Sequence, residues 1–307
     1  MIKFSIVIPL YNKSAYITKT LNSIKNQNYQ DYEVIIVNDA STDDSKEVVE
    51  DFIEKLDLEI KSKFKLFNKD NSGVSSTRNY GVKLSSYDYI AFLDADDYLE
   101  NNHLSNFVYL INKYSDKVDM FSNASKQLQN EKFIFPKLSN YKNYIGIVDY
   151  FKVSLISNGF INSSSVCVKK DVMDNNLFPL GMKNFEDMIT WARIANNKGF
   201  AFSSEQTSIY VIDNAEASSH INFENYLRYE EVLKTINYNR YLLKIYSFKF
   251  FLLHILYARM NMNLNSYIKK SFKVFGKDFI ISCCLIIGLF FPKFVLKFLK
   301  DTRKSKK

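Results

Sequence analysis

The chain has 307 residues, 47% of them hydrophobic and 16% aromatic, which excludes a disordered protein and allows one large α/β domain with an appendage, or two domains. The net charge is +8, but 16 of the 41 Lys and Arg residues and only two of the 33 acids lie from Leu233 onward. Residues 1–232 therefore carry 25 basic and 31 acidic side chains. Three cysteines, an odd number with an adjacent pair, do not indicate a disulfide framework and fit a reducing cytoplasm.

Strands and helices alternate over the first hundred residues. The β-branched start of the chain predicts a strand rather than a signal peptide, and apolar residues then recur at helical spacing through Gln27. Strands are expected at residues 2–9, 33–39, 64–67 and 90–93, with a helix between each pair. Alternation at this spacing predicts an α/β fold with a mostly parallel sheet covered by helices on both faces.

The pattern after Asn101 is less regular. A helix is expected at 102–114, strands at 118–121 and 164–168, and a helix at 185–194. A polar stretch through about residue 143 has little periodicity.

From about residue 220 the composition becomes helical, aromatic and basic. We therefore expect two parts, a domain over 1–220 and a helical C-terminal extension over 221–307. Residues 279–291 are uncharged, but 13 residues are too few for a spanning helix, which needs about 20. Pro292 and the apolar stripe among lysines that follows it favour a helix on an anionic membrane surface. Helix packing or dimerisation is the alternative. Nucleic-acid binding would explain the charge but not the bulky apolar residues.

Three carboxylates follow the strand at 90–93: Asp94, Asp96 and Asp97. Like charges this close destabilise a fold unless a cation compensates them. Hard oxygen ligands at a strand end favour Mg²⁺ or Mn²⁺, the usual partners of phosphate groups. The alternative is an acidic turn that caps the helix from about Asn101.

Five motifs follow one another along the chain: Ser5 to Asn12, Val37 to Asp43, Asn71-Ser72-Gly73 with Thr77-Arg78-Asn79, Asp94-Ala95-Asp96-Asp97, and Glu186-Asp187. In their order and spacing they resemble the family-2 glycosyltransferases over roughly residues 3–215. The resemblance implies a GT-A-type fold and an inverting transfer of sugar from a nucleotide-sugar donor, most simply a UDP-sugar, to an acceptor hydroxyl. The acceptor would be a saccharide or lipid-linked saccharide in cell-surface polysaccharide or glycolipid synthesis. The basic, apolar C-terminal extension adds the expectation that the protein is cytoplasmic and peripheral at the inner face of the cell membrane.

The resemblance also assigns roles to single residues. The expected nucleotide-sugar contacts are Pro9, Tyr11, Asp39, Asn71, Arg78 and Asp94, the metal ligands for Mn²⁺ or Mg²⁺ are Asp96 and Asp97, and the catalytic base is Asp187. In the family pattern Asp94 approaches the ribose and Asp96 binds the metal that bridges the diphosphate.

Several roles also have a physical reason and a simpler alternative. Pro9 keeps the backbone extended before Tyr11, whose ring can stack on a nucleobase or only pack at the rim. Asp39 can accept a uracil N–H or cap a helix. Arg78 can bind phosphate or base, or form a surface ion pair. Asp187 can act as a base, or its charge can simply stabilise the N-terminus of its helix by interacting with the helix dipole.

One departure from the family concerns a His that many relatives carry after the strand that follows the base helix. Here Tyr210-Val211-Ile212 leads to Asp213, and two interpretations stay open: Asp213 replaces that His near the metal, or the site binds the metal more weakly. The histidines present, His103, His220 and His254, share no metal-ligand spacing. Two other functions stay open: a non-catalytic nucleotide-sugar-binding scaffold subunit, and a nucleotidyltransferase, which would carry a Gly-rich basic loop near the first strand. The sequence does not identify the donor sugar, the acceptor or the oligomeric state.

Overall fold

The structure is a computed structural model, and it describes residues 1–135, 141–156, 161–182, 184–196 and 198–212. The expected C-terminal extension, Asp213, His220 and His254 lie outside these residues. The strands are β1 Phe4–Leu10, β2 Tyr32–Asn38, β3 Phe64–Asn68, β4 Tyr89–Phe92, β5 Tyr98–Leu99, β6 Met120–Gln129, β7 Lys132–Ile134, β8 Ile145–Val148, β9 Val166–Lys169 and β10 Phe200–Ile212. The helices are α1 Ile17–Lys25, α2 Ser45–Glu54, α3 Leu58–Lys61, α4 Val74–Leu84, α5 His103–Tyr114, α6 Tyr150–Ile156, α7 Lys170–Asp174 and α8 Glu186–Ile194.

All described strands join one sheet with the order β3-β2-β1-β4-β9-β6-β10-β5, and β7 and β8 pair with β6 and β10. The four strands from β3 to β4 are mutually parallel, as the alternating pattern predicted. The later part is mixed, because β9 runs antiparallel to both β4 and β6. The hairpin β6–β7 turns through Asn130 and Glu131, both at positive φ, and such a tight turn permits only antiparallel pairing.

The strand expected at 118–121 is the start of the longer β6, which continues through the polar stretch to Gln129, and the periodicity did not reveal this continuation. Its residues Ser122, Asn123 and Ser125 are buried, because β9 and β10 flank the strand. Polar side chains in this interior can hydrogen-bond to neighbours, and Asn123 donates to the carbonyl of His103 at 3.2 Å. A polar composition therefore did not mean a surface loop here.

Two apolar layers cover the sheet, one on each face. Alternate residues of β1 enter different layers, Val7 on the face of α4 and α8 and Ile6 on the face of α1 and α5. Helix α4 lies so close to β1 that a Cβ on Gly81 would stand 2.4 Å from Cγ1 of Val7. This close approach explains a helical Gly, which otherwise costs about 1 kcal/mol relative to Ala. Among the described helices, none has both the length and the apolar character to cross a membrane.

Candidate active site

The carboxyl ends of β1, β2 and β4 meet at one edge of the sheet, since these strands are parallel neighbours. This edge carries Tyr11, Asp39 and Asp94, as the strand pattern predicted. Two loops at the edge are hydrogen-bonded to each other. The N–H of Asn12 donates to Ser41 Oγ at 3.1 Å, and Thr42 N–H donates back to Asn12 Oδ1 at 2.8 Å. The two loops therefore hold Tyr11, which is 46% exposed, at the rim of the edge.

Asp39 is buried and surrounded by donors. Its carboxylate accepts from Lys69 Nζ at 2.5 Å, from Ser72 N–H at 3.0 Å and from Gly73 N–H at 2.9 Å. Burial alone would raise the pKa of Asp39, but these hydrogen bonds outweigh burial and hold the pKa below its ordinary value. The amide of Asn71 donates to the Asp39 carbonyl at 2.9 Å, so Asn71 supports the backbone of this edge. The carboxylate is thus a fixed acceptor.

Arg78, from α4, lies between two acids. Its Nη2 donates to Asp94 Oδ1 at 2.7 Å and its Nη1 to Glu186 Oε1 at 3.0 Å, while its guanidinium carbon stands 5.2 Å from the centre of the Phe178 ring. Burial would lower the pKa of Arg78, but the charges of Asp94 and Glu186 raise it above its ordinary value. The ion pair is buried rather than at the surface, and it joins the sheet edge to the start of α8. Glu186 belongs to one of the five sequence motifs, but the sequence alone assigned it no role.

The remaining acids of the β4 loop have different surroundings. Asp96 Oδ2 lies 2.9 Å from Lys13 Nζ, and its side chain is 29% exposed. Burial and the charge of Asp94 raise the pKa of Asp96, and Lys13 offsets them only in part. Asp97 is fully buried, and its two oxygens accept from Ser164 Oγ at 2.5 Å and from Val211 N–H at 3.0 Å. Burial, then Asp94 and Asp96, raise its pKa well above the ordinary value. Asp97 thus ties the loop to β10.

No group of three or more His, Cys, Asp or Glu side chains is arranged to hold a metal ion in the described ranges. Of the three histidines in the sequence, His103 lies in the described part of the chain, and it is buried in the core. Its Nδ1 lies 2.7 Å from Thr207 Oγ1, and burial lowers its pKa to about 3.

Asp187 lies in the first turn of α8, directly after Phe185 at φ 68° and Glu186. One carboxylate oxygen accepts the N–H of Met188 at 2.7 Å, and the side chain is partly exposed. Burial and the charge of Glu186 raise the pKa of Asp187 to about 7, against the lowering effect of Arg78 and the Met188 N–H. A carboxyl with such a pKa is suited to accept a proton near neutral pH.

Tyr210 is a site residue to which sequence reasoning gave no role. Its side chain is 40% exposed, and burial followed by the charges of Asp97, Asp94, Asp96 and Asp187 raises its pKa to about 12. The phenol therefore faces the same acidic region as the proposed base. The alternation of side chains along β10 could have shown on which face of the sheet Tyr210 lies. It could not have shown which acids lie near the phenol, because those acids are distant in sequence.

This sheet, with acids at the ends of its parallel strands and a facing helix that begins with an acidic pair, has a GT-A-type architecture. Residues 5–161 match the model of glycosyl transferase family 2, and the chain belongs to that family. An uncharacterized glycosyltransferase of Rickettsia bellii is 31% identical over 207 residues, which are 67% of this chain and 28% of that protein. The poly(ribitol-phosphate) beta-N-acetylglucosaminyltransferase TarS of Staphylococcus aureus is 32% identical over 120 residues, 38% of this chain and 20% of TarS.

Solved structures support the same fold. The crystal structure of S. aureus TarS 1–349 in complex with UDP-GlcNAc has a TM-score of 0.69 and 22% identity, covering 85% of this chain and 74% of that chain. The mannosyltransferase PcManGT from Pyrobaculum calidifontis, in complex with GDP-Man and Mn²⁺, has a TM-score of 0.58 and 13% identity, covering 98% and 87%. Identities this low show the fold alone. The matches span between 15% and 38% of the length of the first curated relatives.

Proposed function

We propose that the chain is an inverting glycosyltransferase that moves a sugar from a UDP-sugar to a hydroxyl of a saccharide or lipid-linked saccharide, in cell-surface polysaccharide or glycolipid synthesis. The observation that carries the proposal is Asp187, a partly exposed carboxyl whose pKa is raised to about 7 beside the acidic edge of the sheet. A scaffold subunit has no need of an acid held near neutrality at a considerable cost in stability. The relative TarS is named as a glycosyltransferase that acts on poly(ribitol-phosphate), which supports a polymer as the acceptor.

The donor nucleotide would lie along the edge formed by β1, β2 and β4. The exposed ring of Tyr11 offers a stacking surface for the base, after the strand in which Pro9 pairs with Val37. The ionised Asp39 offers an acceptor for a base N–H, and Asp94, 29% exposed, offers one for the ribose hydroxyls. Asn71 and Arg78 hold Asp39 and Asp94 in place through the contacts described above.

Transfer then requires one displacement. The acceptor oxygen forms a bond to the anomeric carbon from the face opposite the diphosphate, while the bond from that carbon to the diphosphate oxygen breaks and its electron pair leaves with UDP. The acceptor proton goes to the carboxylate of Asp187. Since the proton acceptor must be ionised, Asp187 works above its pKa of about 7. No covalent intermediate with the protein is needed.

Asp96 would hold a divalent metal, Mn²⁺ or Mg²⁺. The residues present fit such an ion, because Asp96 is a hard oxygen donor near Asp94. Burial and then the charge of Asp94 raise the pKa of Asp96, and Lys13 at 2.9 Å offsets this rise only in part, so a further cation would be favourable there. When bound, the metal would offset charge on the leaving diphosphate. Asp97, assigned to the metal from sequence, already accepts two protein donors, so we place it in support of the loop rather than at the metal. The Mn²⁺ named with PcManGT supports the choice of ion.

Residues 221–307 would anchor the protein at the inner, cytoplasmic face of the membrane. Their 16 basic side chains against two acids from Leu233 onward, combined with two apolar stretches, support binding to anionic lipid. This surface would also give access to lipid-linked acceptors. Contacts between copies of the chain through the same segment are a separate property, which sedimentation without vesicles would measure.

Product analysis tests the proposal. Purified protein is incubated with a panel of UDP-sugars, Mn²⁺ and saccharide acceptors, and the products are separated by chromatography. We expect release of UDP with a new glycoside of inverted anomeric configuration, read by NMR. Pyrophosphate release would instead indicate a nucleotidyltransferase, and neither product with any donor would indicate a binding subunit. A retained anomeric configuration would contradict the single displacement.

A further inference from the structure

The loop that follows β3, residues 69–73, folds over Asp39. Lys69 supplies the side chain of that loop nearest the carboxylate, with its Nζ 2.5 Å from Asp39 Oδ1 and a side chain only 15% exposed. The same ammonium donates to the Asp70 carbonyl at 2.6 Å and to Ser72 Oγ. All three ammonium protons therefore have acceptors, and the lysine is held in one position.

The carboxylate of Asp39 has few acceptor positions left. Two oxygens offer about four lone-pair positions. Lys69 and Ser72 N–H occupy Oδ1, and Gly73 N–H occupies Oδ2, and within the described part of the chain these three are the donors to the carboxylate. One position on Oδ2 remains for a ligand. The two backbone donors belong to any sequence that folds this way, whereas the third depends on the side chain at position 69.

Nucleobases differ in how many donors they present to a carboxylate. Uracil has a single ring N–H, flanked by two carbonyls, so one free acceptor satisfies it. Guanine presents a ring N–H and an amino N–H side by side, which pair with both oxygens of a carboxylate. Guanine at this position would leave one buried donor without a partner, at a cost of roughly tenfold or more in affinity. Lys69 occupies the oxygen that the second donor would need.

We infer that Lys69 determines base specificity through Asp39, leaving the carboxylate a single acceptor that admits uracil and rejects guanine. The inference rests on the proposed function, because it assumes that the base of the donor binds at Asp39. Lys69 need not touch the base. It acts by filling Oδ1 and by keeping Asp39 ionised.

The test compares the dissociation constants of UDP and GDP by titration calorimetry, for the full chain and for Lys69→Met. Met keeps most of the stem of the side chain but removes the ammonium. We expect the wild-type protein to bind UDP more tightly than GDP, and Lys69→Met to lower the GDP-to-UDP ratio of dissociation constants by roughly tenfold. UDP methylated at N3, which has no ring N–H, should bind the wild-type protein roughly tenfold more weakly than UDP.

Two further variants separate specificity from a general effect on the fold. Lys65→Met removes another lysine of β3 that pairs with an acid of β2, Glu33, at 2.8 Å, and we expect it to leave the ratio unchanged. Lys69→Arg keeps a cation beside Asp39 and should keep the wild-type ratio. An unchanged ratio in a folded Lys69→Met, or the same change in Lys65→Met, overturns the inference while the proposed function stands. Failure of the wild-type protein to bind either nucleotide overturns both.

Discussion

Replacing Asp187 with Asn removes the group that would take the acceptor proton and keeps the size of the side chain. Loss of a general base lowers a rate by about 10²- to 10⁴-fold, and we expect a loss in that range for sugar transfer. In the wild-type protein the rate should rise with pH through about 7, the pKa to which burial and Glu186 raise Asp187. At pH 6 only roughly a tenth of the carboxyl would be ionised. Initial rates of UDP release from pH 5.5 to 8.5 measure both effects.

The same substitution, which lowers the rate of sugar transfer, should raise the stability of the folded protein. The folded protein binds the Asp187 proton more tightly than the unfolded chain does, because the pKa rises from 3.8 to about 7 on folding. The contribution of Asp187 to the stability of the wild-type protein therefore falls as pH rises from about 4 to 7, and this loss is complete above pH 7. The full difference corresponds to roughly 4 kcal/mol, and solvent screening at a partly exposed side chain reduces it to on the order of 1–2 kcal/mol. Asp187→Asn should thus raise the melting temperature by several degrees at pH 8, and by little at pH 4.

Asp171 provides the matched control, since it also lies in the first turn of a helix, α7, and accepts the N–H of the next residue, Val172, at 2.9 Å. Asp171→Asn should leave the rate of sugar transfer unchanged. Asp187→Asn with full transfer activity would refute the assignment of the base. Lower stability of Asp187→Asn at pH 8 would refute the account of its pKa.

Three further predictions concern the ion pair, the metal and the C-terminal extension. Arg78→Met leaves the buried Glu186 and the partly exposed Asp94 without their cation. We therefore expect a loss of about 3–5 kcal/mol in the free energy of unfolding by urea titration, and a neutral outcome would contradict the pairing of Arg78 with the buried Glu186. Asp96→Asn should weaken Mn²⁺ binding in the presence of UDP by at least roughly tenfold, measured from the paramagnetic signal of free Mn²⁺; equal binding would exclude Asp96 as a ligand. A chain that ends at Glu230 should no longer sediment with vesicles of anionic lipid, and sedimentation at the full-length level would reject the membrane role.

Local patterns predicted the first half of the fold because a strand, a turn and a helix that follow one another there form a complete packing unit. A strand of β-branched residues, a polar turn and an amphipathic helix recur, and βαβ connections leave the strands parallel. The same regularity placed Asp39 and Asp94 at one edge, since parallel strands end on the same side. The later strands depend on pairing between distant segments. Strand β9 lies between β4 and β6, and nothing local to residues 166–169 specifies those partners.

The site residues missed by sequence reasoning were missed for the same reason. Lys13 stands three residues after the end of β1 and Lys69 one residue after β3, and each reads as an ordinary loop lysine until its acid is brought beside it. Ser164 belongs to a run of three serines that any surface loop could contain, yet it donates to Asp97 and accepts from the N–H of Asp94 at 3.1 Å. Charge partners 30 to 83 residues apart follow from topology, which a linear pattern does not encode.

The adjacent acids Glu186 and Asp187 show how topology divides one motif between two tasks. Arg78 pairs with Glu186 at 3.0 Å but acts on Asp187 only through a longer-range charge interaction. Burial first, and the charge of Glu186 second, raise the pKa of Asp187 to about 7, and Arg78 offsets this rise only in part. Because Arg78 also donates to Asp94 at 2.7 Å, one buried guanidinium joins the end of β4 to the first turn of α8, where Asp187 lies. Glu186 thus serves the ion pair, and Asp187 is the carboxyl of the motif that we propose takes the proton.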